Sequence, residues 1–287
     1  MKNVAIIGVG LIGGSLGMAL RSSGKYLVTG VGRDGRKLAL ARRCGAIDYG
    51  TMDFRAGVSN ADIVVIATPV DVISSVAGKI GAHVKQGAVI TDVGSVKEEI
   101  TDNMRLLFPG RYPAVFIGAH PLAGLEKNGV RFACNDLYRG SWVVLTPGEK
   151  APRPSVRMIE ALWHDCGART VVMTPHEHDR LVAVTSHLPH VLAFALSNAA
   201  AESHESNRAT AKLLAGSFRD MTRIADSNAR DWAAICGMNR DELVSAIDTF
   251  IGRLGYVKKC LRSPQKLAHF FENGKSARRR LLKIKQF

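Results

Sequence analysis

Apolar and polar positions along the chain fall into two regimes. Up to about residue 173, short and nearly continuous apolar runs recur at Val4–Ile7, Tyr26–Val31, Asp62–Ala67, Ala88–Thr91, Ala114–Ile117, Trp142–Thr146 and Arg169–Met173. Runs of this length with little polar alternation are predicted as strands buried on both faces, the signature of a parallel sheet. Between them apolar residues return at helical spacing: Leu16, Ala19 and Leu20, then Lys37–Cys44, Val72–Ile80, Glu98–Leu107 and Ser155–Cys166. The loop Pro147–Pro154 is a link inside this region. After Thr174-Pro175 only helical patterns remain, over 181–201, 207–216, 219–227, 229–236, 239–262 and 264–284. The stretch Leu181–Ala201 is apolar nearly all round, which predicts burial in a core or against a second chain. Two domains are therefore expected, an α/β domain over 1–175 and an all-α domain over 176–287 suited to dimerisation.

The first strand ends in Gly8-Val-Gly10-Leu-Ile-Gly13-Gly14-Ser15, and a helix follows at once. Strand, glycine turn and helix in that order are the context in which GxGxxG signals a dinucleotide site, so the first domain is expected to be Rossmann-like. Gly8 permits the turn, Gly10 lets backbone approach a pyrophosphate, and Gly13 lets helix and strand pack closely. Leu11 and Ile12 complete a helix N-terminus whose free N–H groups attract phosphates. At the end of the second strand, where an acidic residue would read the ribose 2′-hydroxyl, the chain has Gly32-Arg33, with Arg36 and Lys37 nearby. That argues for NADP over NAD, although Asp34 is one residue on and the Arg33 guanidinium also suits stacking on adenine. Strand ends at Thr68-Pro69 and Ser95 point to the crevice where a nicotinamide would lie.

Composition adds little until charge is considered. The 287 residues are 46% hydrophobic and 22% charged, an ordinary globular balance. The formal net charge is +14, with a cluster at Lys275–Lys285. No aromatic residues interleave with that cluster, so a solvated last helix is expected rather than a nucleic-acid arm. No uncharged apolar run is expected to reach the roughly 18 residues of a membrane helix. Met1-Lys2 leads straight into a strand rather than a signal sequence. Five cysteines without CxxC spacing read as free thiols of a reducing, cytoplasmic compartment.

Candidate chemistry gathers around histidine. In Gly118-Ala-His-Pro-Leu-Ala-Gly124 two glycines and a proline are expected to hold His120 in a fixed turn at the carboxyl end of a strand, followed by Glu126 and Lys127. His176, His178, His187 and His190 form a second group. Without HExxH or Cys/His spacing, no metal is expected, and imidazoles donating to an anion fit the basic chain better. Arg219 and Arg223, at i, i+4, suit a carboxylate or form a solvent-facing stripe.

Taken together, GVGLIGGS at 8–15, DVGSVK at 92–97, GAHPLAGLEKNGV at 118–130, HDRLVAVTSHLPH at 178–190 and FRDMTRIADSNARDW at 218–232 resemble the prephenate/arogenate (cyclohexadienyl) dehydrogenases. The resemblance spans essentially the whole chain, and the last three motifs are specific to that family. It implies oxidative decarboxylation of prephenate or arogenate in tyrosine biosynthesis, with a homodimer joined through the helical domain. By the same resemblance, His120 would take the proton of the ring hydroxyl, and Ser95 would bridge that hydroxyl, His120 and the cofactor. Arg223 would bind the ring carboxylate and His190 the side-chain end. His178 and His187 would line the pocket, Glu126 would gate it and Trp232 would close it. Gly216 and Arg219 would add backbone and cationic contacts. One departure is Leu125, where a small hydroxylated residue is expected, and it bears on prephenate against arogenate. The chain is expected to have room for neither a fused chorismate mutase nor a regulatory ligand domain.

Two other readings compete. A β-hydroxyacid dehydrogenase would need a helical lysine base, and 181–201 holds none. A nicotinamide-sensing regulator would fit the +14 charge but has no use for His120, Ser95 and Arg223 together.

Overall fold

The computed structural model describes residues 1–108, 114–124 and 127–284. The chain divides into two compact units, Met1–Arg240 and Asp241–Phe287.

The first unit is built on strands β1 (Lys2–Ile7), β2 (Tyr26–Val31), β3 (Tyr49–Thr51), β4 (Ile63–Ile66), β5 (Val89–Asp92), β6 (Val115–Pro121), β7 (Trp142–Pro147) and β8 (Arg169–Val172). They form one sheet in the order β3-β2-β1-β4-β5-β6-β7-β8. Every pairing is parallel except β6 with β7. Period-two packing is visible in the central strands. Val4 and Ile6 of β1, with Ile63 and Val65 of β4, enter one core layer, while Ala5, Ile7, Val64 and Ile66 enter the other. The first layer is closed by α1 (Leu11–Ser22) through Leu16 and Leu20 and by α6 (Arg153–Asp165) through Ile159, Leu162 and Trp163. The second is closed by α4 (Ile73–Ile80) and α5 (Glu98–Leu107). Strand order reverses between β1 and β4, and this opens a crevice at their carboxyl ends.

Two short elements were not predicted. Strand β3 and helix α3 (Phe54–Val58), with α2 (Gly35–Arg43) before them, complete the first half of the sheet. Three strand residues are too few to show a period, and Asp53 caps α3 by accepting from Arg55 N and Ala56 N.

After β8 the described residues contain no strand. Thr174 caps α7 (Pro175–Val182), and Pro175 occupies its first turn. A π-turn over Ala183–His187 leads into α8 (Leu188–Ser206). The predicted helix over 207–216 is a 3-10 segment at Arg208–Leu213. The predicted helix over 219–227 is α9 (Gly216–Thr222) followed by a 3-10 turn at Arg223–Asp226. Asn228 caps α10 (Ala229–Met238), whose Ile235 is buried in the second core layer.

The run Pro175–Ser206 is long and apolar enough to cross a membrane by length and composition, which corrects the expectation that no run reaches that length. Its first turns instead bury His178, Asp179 and His187 against hydrogen-bonding partners of the folded chain. The burial expected along 181–201 is partial: within α8 only Leu188 and Ala193 are buried, and Leu196 is exposed.

The second unit pairs α11 (Arg240–Cys260) with α12 (Pro264–Ile284). Tyr256 meets Phe270 with ring centroids 5.8 Å apart.

Candidate active site

Strand β6 carries His120 into the sheet rather than into a turn. His120 lies opposite Val144 in the antiparallel β6–β7 pairing, and Pro121 opposite Val143 ends the strand. This corrects the expected fixed turn. Pro121 has no N–H to contribute, so it is tolerated at a strand end. Gly118 is needed because a Cβ there would strike Thr146 Oγ1 on β7.

Behind His120 runs a chain of hydrogen bonds. His120 Nδ1 lies 2.8 Å from His178 Nε2, and His178 Nδ1 lies 2.6 Å from Asp179 Oδ1. Helix α5 has no side-chain cap of its own, and Asp179 supplies one from α7. Its carboxylate accepts from Lys97 N at 2.8 Å and from Glu98 N at 2.9 Å. The Lys97 ammonium forms a fully buried ion pair with Asp92. Asp92 also accepts from Gly94 N at 2.8 Å and from Ala119 N, next to His120, at 3.1 Å. The chain of bonds therefore closes on itself around the imidazole. Burial holds the His120 pKa well below the ordinary histidine value, helped by His178, the Lys97 charge and His187. His120 is neutral at neutral pH, as a proton acceptor requires.

A second group adjoins the first. The π-turn brings His187 inward, where its Nδ1 lies 3.0 Å from Asn239 Nδ2, and the same amide donates to Asp179 O at 2.8 Å. An amide nitrogen can only donate, so His187 accepts at Nδ1. Burial lowers the His187 pKa to about 4, with His178 and His190 acting the same way and Asp179 and the Ser95 carbonyl opposing it. His190 holds Ser186 O through Nδ1 at 2.9 Å and stacks on Trp232. His187 meets the same indole edge-on at 5.9 Å.

At the carboxyl end of β1, Gly8 has φ +95, and a Cβ there would lie 2.5 Å from Ala67 O and 3.2 Å from Thr68 Cγ2. Thr68 and Pro69 thus border the glycine loop. A Cβ on Gly13 would strike Gly8 O, whereas one on Gly10 would meet nothing within 4 Å. The loop is pinned from behind by Tyr138 Oη donating to Ile12 O at 2.6 Å. Gly10 caps α1 without a side-chain hydrogen bond, which leaves the first-turn N–H groups, beginning at Leu11, to an external acceptor. A close-packed Gly8 and Gly13 around an open Gly10, at a bare helix N-terminus, fit a dinucleotide pyrophosphate. Arg33 is exposed beyond β2. Asp34 is turned away as the α2 cap, accepting from Arg36 N at 2.8 Å and Lys37 N at 3.3 Å.

Of the residues expected at the site, contacts join His120, His178, His187, His190 and Trp232, with Ser95 against His187. His178 is not a pocket-lining side chain: it is 1% exposed, and both ring nitrogens are engaged. The expected i, i+4 face of Arg219 and Arg223 is broken because α9 ends at Thr222 and Arg223 opens a 3-10 turn. That turn packs against α8, the helix of His190. Gly216 and Arg219, on exposed α9, share no hydrogen bond, ion pair or ring contact with the imidazoles among the described residues. Glu126 and Leu125 lie outside the described residues. Sequence reasoning missed Asp92, Lys97, Asp179 and Asn239. The first three sit inside quoted motifs, where a lysine and two carboxylates beside apolar runs were a signal, while Asn239 carried none.

Comparison with known proteins places the chain in a family. The family model described as the prephenate dehydrogenase nucleotide-binding domain matches residues 16–172, and that for the prephenate dehydrogenase dimerization domain matches 174–273. Prephenate dehydrogenase of Bacillus subtilis is 33% identical over 97% of this chain and 76% of its own length. Cyclohexadienyl dehydrogenase of Zymomonas mobilis is 33% identical over 96% of this chain and 94% of its own. The crystal structure of prephenate dehydrogenase from A. aeolicus, in complex with hydroxyphenyl propionate and NAD+, superposes with a TM-score of 0.91 at 32% identity, covering 98% of both chains. With both domains matched in order along nearly its whole length, the chain belongs to the prephenate dehydrogenase family.

Proposed function

We propose that this protein oxidatively decarboxylates prephenate to 4-hydroxyphenylpyruvate, or arogenate to tyrosine. The observation that carries the reading is a buried neutral imidazole at the carboxyl end of the sheet that also holds the glycine loop. A bound nicotinamide supplies the acceptor for the ring hydride. His120 takes the hydroxyl proton as the carbinol carbon becomes a carbonyl, the C–CO2 bond then breaks with its electron pair restoring the aromatic ring as a phenolate, and the phenolate oxygen takes the proton back from His120. Aromatisation drives the loss of CO2, so no group is needed to stabilise a full carbanion. The remaining work is orientation and charge. Ser95 shares the hydroxyl with His120, Arg223 holds the ring carboxylate, and His190 and Trp232 wall the side-chain end, with the buried His187 edge-on against the same indole. Gly216 and Arg219 contribute from α9.

The cofactor is assigned as NADP in preference to NAD. The carboxylate best placed to read a ribose 2′-hydroxyl, Asp34, is committed to the α2 cap, and the Arg33 guanidinium is exposed. The partner is a second copy of this chain. Leu181, Val184, Leu213 and Met221 leave apolar side chains exposed in the helical part of the first unit, as do Ile251, Leu254 and Phe271 in the second.

Steady-state rates at 340 nm for prephenate and arogenate, each with NAD and NADP, test the activity. His120→Asn is expected to lower kcat by about 10²-fold or more with cofactor affinity unchanged. A wild-type protein that reduces neither cofactor with either substrate overturns the reading. Light scattering at micromolar concentration tests the dimer.

A further inference from the structure

We propose that His178 and Asp179 are positioning residues that lock His120 in the tautomer with its proton on Nδ1, leaving Nε2 bare as the atom that takes the substrate proton. The inference rests on the dehydrogenase reading for the proton's origin, but the tautomer is a property of the free protein.

Donors and acceptors along the chain of bonds assign each proton. Asp179 Oδ1 receives Lys97 N and Oδ2 receives Glu98 N, both backbone donors that cannot accept. The carboxylate therefore faces His178 Nδ1 as an acceptor, and His178 carries its proton on Nδ1. With that proton its only one, the His178 ring presents a lone pair at Nε2. The atom 2.8 Å from that lone pair, His120 Nδ1, must be the donor. His120 Nε2 is then unprotonated, and it makes no hydrogen bond among the described residues.

The surroundings fix this order rather than merely allow it. His178 and Asp179 are each 1% exposed, so water does not compete for either bond. The charged and titratable groups that face His120 are His178 on α7, Lys97 ahead of α5 and His187 on the π-turn, with Asp179 and Asp92 behind them. Asp92 holds the backbone at Ala119 while His178 holds the ring of the next residue, which sets both position and rotation of the imidazole. A wrong tautomer would point an N–H at the hydroxyl it has to deprotonate.

The test uses the full-length protein. In long-range ¹H–¹⁵N spectra near pH 7.5, without cofactor or substrate and with His120 assigned by its absence in His120→Asn, Nδ1 is expected to be protonated and Nε2 bare. His178→Ala is expected to lose about 10²–10³-fold in kcat with KM within about threefold. His178→Gln, whose amide can accept from His120 and donate to Asp179, is expected to recover at least about tenfold of that loss. Asp179→Asn is expected to move the His120 proton to Nε2 and to lose up to about 10⁴-fold in kcat, the scale seen when a triad carboxylate becomes an amide. Because Asp179 also caps α5, His178→Gln is the variant that decides if Asp179→Asn fails to fold. Wild-type protein with the proton on Nε2, or His178→Ala with kcat within twofold of wild type, overturns the lock. If wild type oxidises neither substrate while Nδ1 carries the proton, the dehydrogenase reading falls and the lock stands.

Discussion

The imidazole of His190 lies flat on the indole of Trp232, with ring centroids 3.5 Å apart and planes 19° from parallel. The two residues come from different helices, α8 and α10, so the stack ties those helices together at the proposed substrate wall. A stack of this kind is worth about 0.5–1.5 kcal/mol beyond burial. Trp232→Leu is expected to raise KM for the cyclohexadienyl substrate about 2–10-fold and to change kcat less than threefold. An unchanged KM would remove the stack from substrate binding.

The glycine loop makes a prediction that separates fold from binding. A Cβ on Gly13 would collide with Gly8 O, whereas one on Gly10 would point into open space. Gly13→Ala is therefore expected to lower stability by about 1–3 kcal/mol. Gly10→Ala should leave the urea midpoint unchanged while raising KM for the nicotinamide cofactor about tenfold, because the methyl occupies the room the pyrophosphate needs. Equal cofactor KM in Gly10→Ala and wild type would count against a pyrophosphate at this helix N-terminus.

This contrast also shows what was legible in the chain. Gly8, Gly10 and Gly13 announce themselves because turn, ligand and packing each demand the absence of a side chain at a fixed spacing. The paired layers of β1 and β4 are legible because both faces are apolar. His120 was visible as chemistry but misplaced, since Gly118 and Pro121 read locally as turn residues. Only the pairing with Val143–Pro147, far along the chain, makes that segment a strand. Asp179 and Lys97 were hidden for a similar reason. Their meaning is a contact between residues 82 positions apart, which no local period encodes. Arg219 and Arg223 have helical spacing, but a 3-10 turn intervenes and the spacing stops predicting a shared face.

His187 sets an acid limit on stability. Its pKa in the folded protein is about 4, below the ordinary histidine value of about 6.5. As pH falls below about 6.5 the unfolded chain binds a proton first, so folding stability is full above that pH and is lost down to about pH 4. A shift of this size amounts to at most about 3 kcal/mol. Chemical denaturation at pH 7.5 and pH 4.5 checks it: wild type should lose about 2–3 kcal/mol more across that interval than His187→Gln. Parallel losses in the two proteins would show that His187 is not the group responsible.

The proposed preference for NADP rests on Arg33 and Asp34. With Asp34 held at the α2 N-terminus, Arg33→Ala is expected to raise KM for NADP by about tenfold, the loss of one charge-assisted contact, and to leave KM for NAD within twofold. A matched rise for both cofactors would mean that Arg33 stacks on the adenine, which NAD and NADP share.

The buried pair of Lys97 and Asp92 links stability to the acid limb of the reaction. Both side chains are fully buried, and removing one partner of such a pair strands the other charge at a cost of about 3–5 kcal/mol. Lys97→Met should show that loss in full. Lys97→Met with Asp92→Asn should cost less than the two single changes summed, because the amide oxygen can still accept from Ala119 N without an unpaired charge. The same lysine acts on the site through space. Burial is the main reason His120 stays neutral, and the Lys97 ammonium opposes a second cation beside it. Without that ammonium His120 gains a proton at higher pH, so the acid limb of kcat/KM in Lys97→Met should move upward in pH, toward the ordinary histidine value. The check is a pH profile of kcat/KM from pH 5 to pH 9 at saturating cofactor for wild type and variant. A limb that stays in place, or moves to lower pH, would show that Lys97 holds only the fold and not the proton affinity of His120.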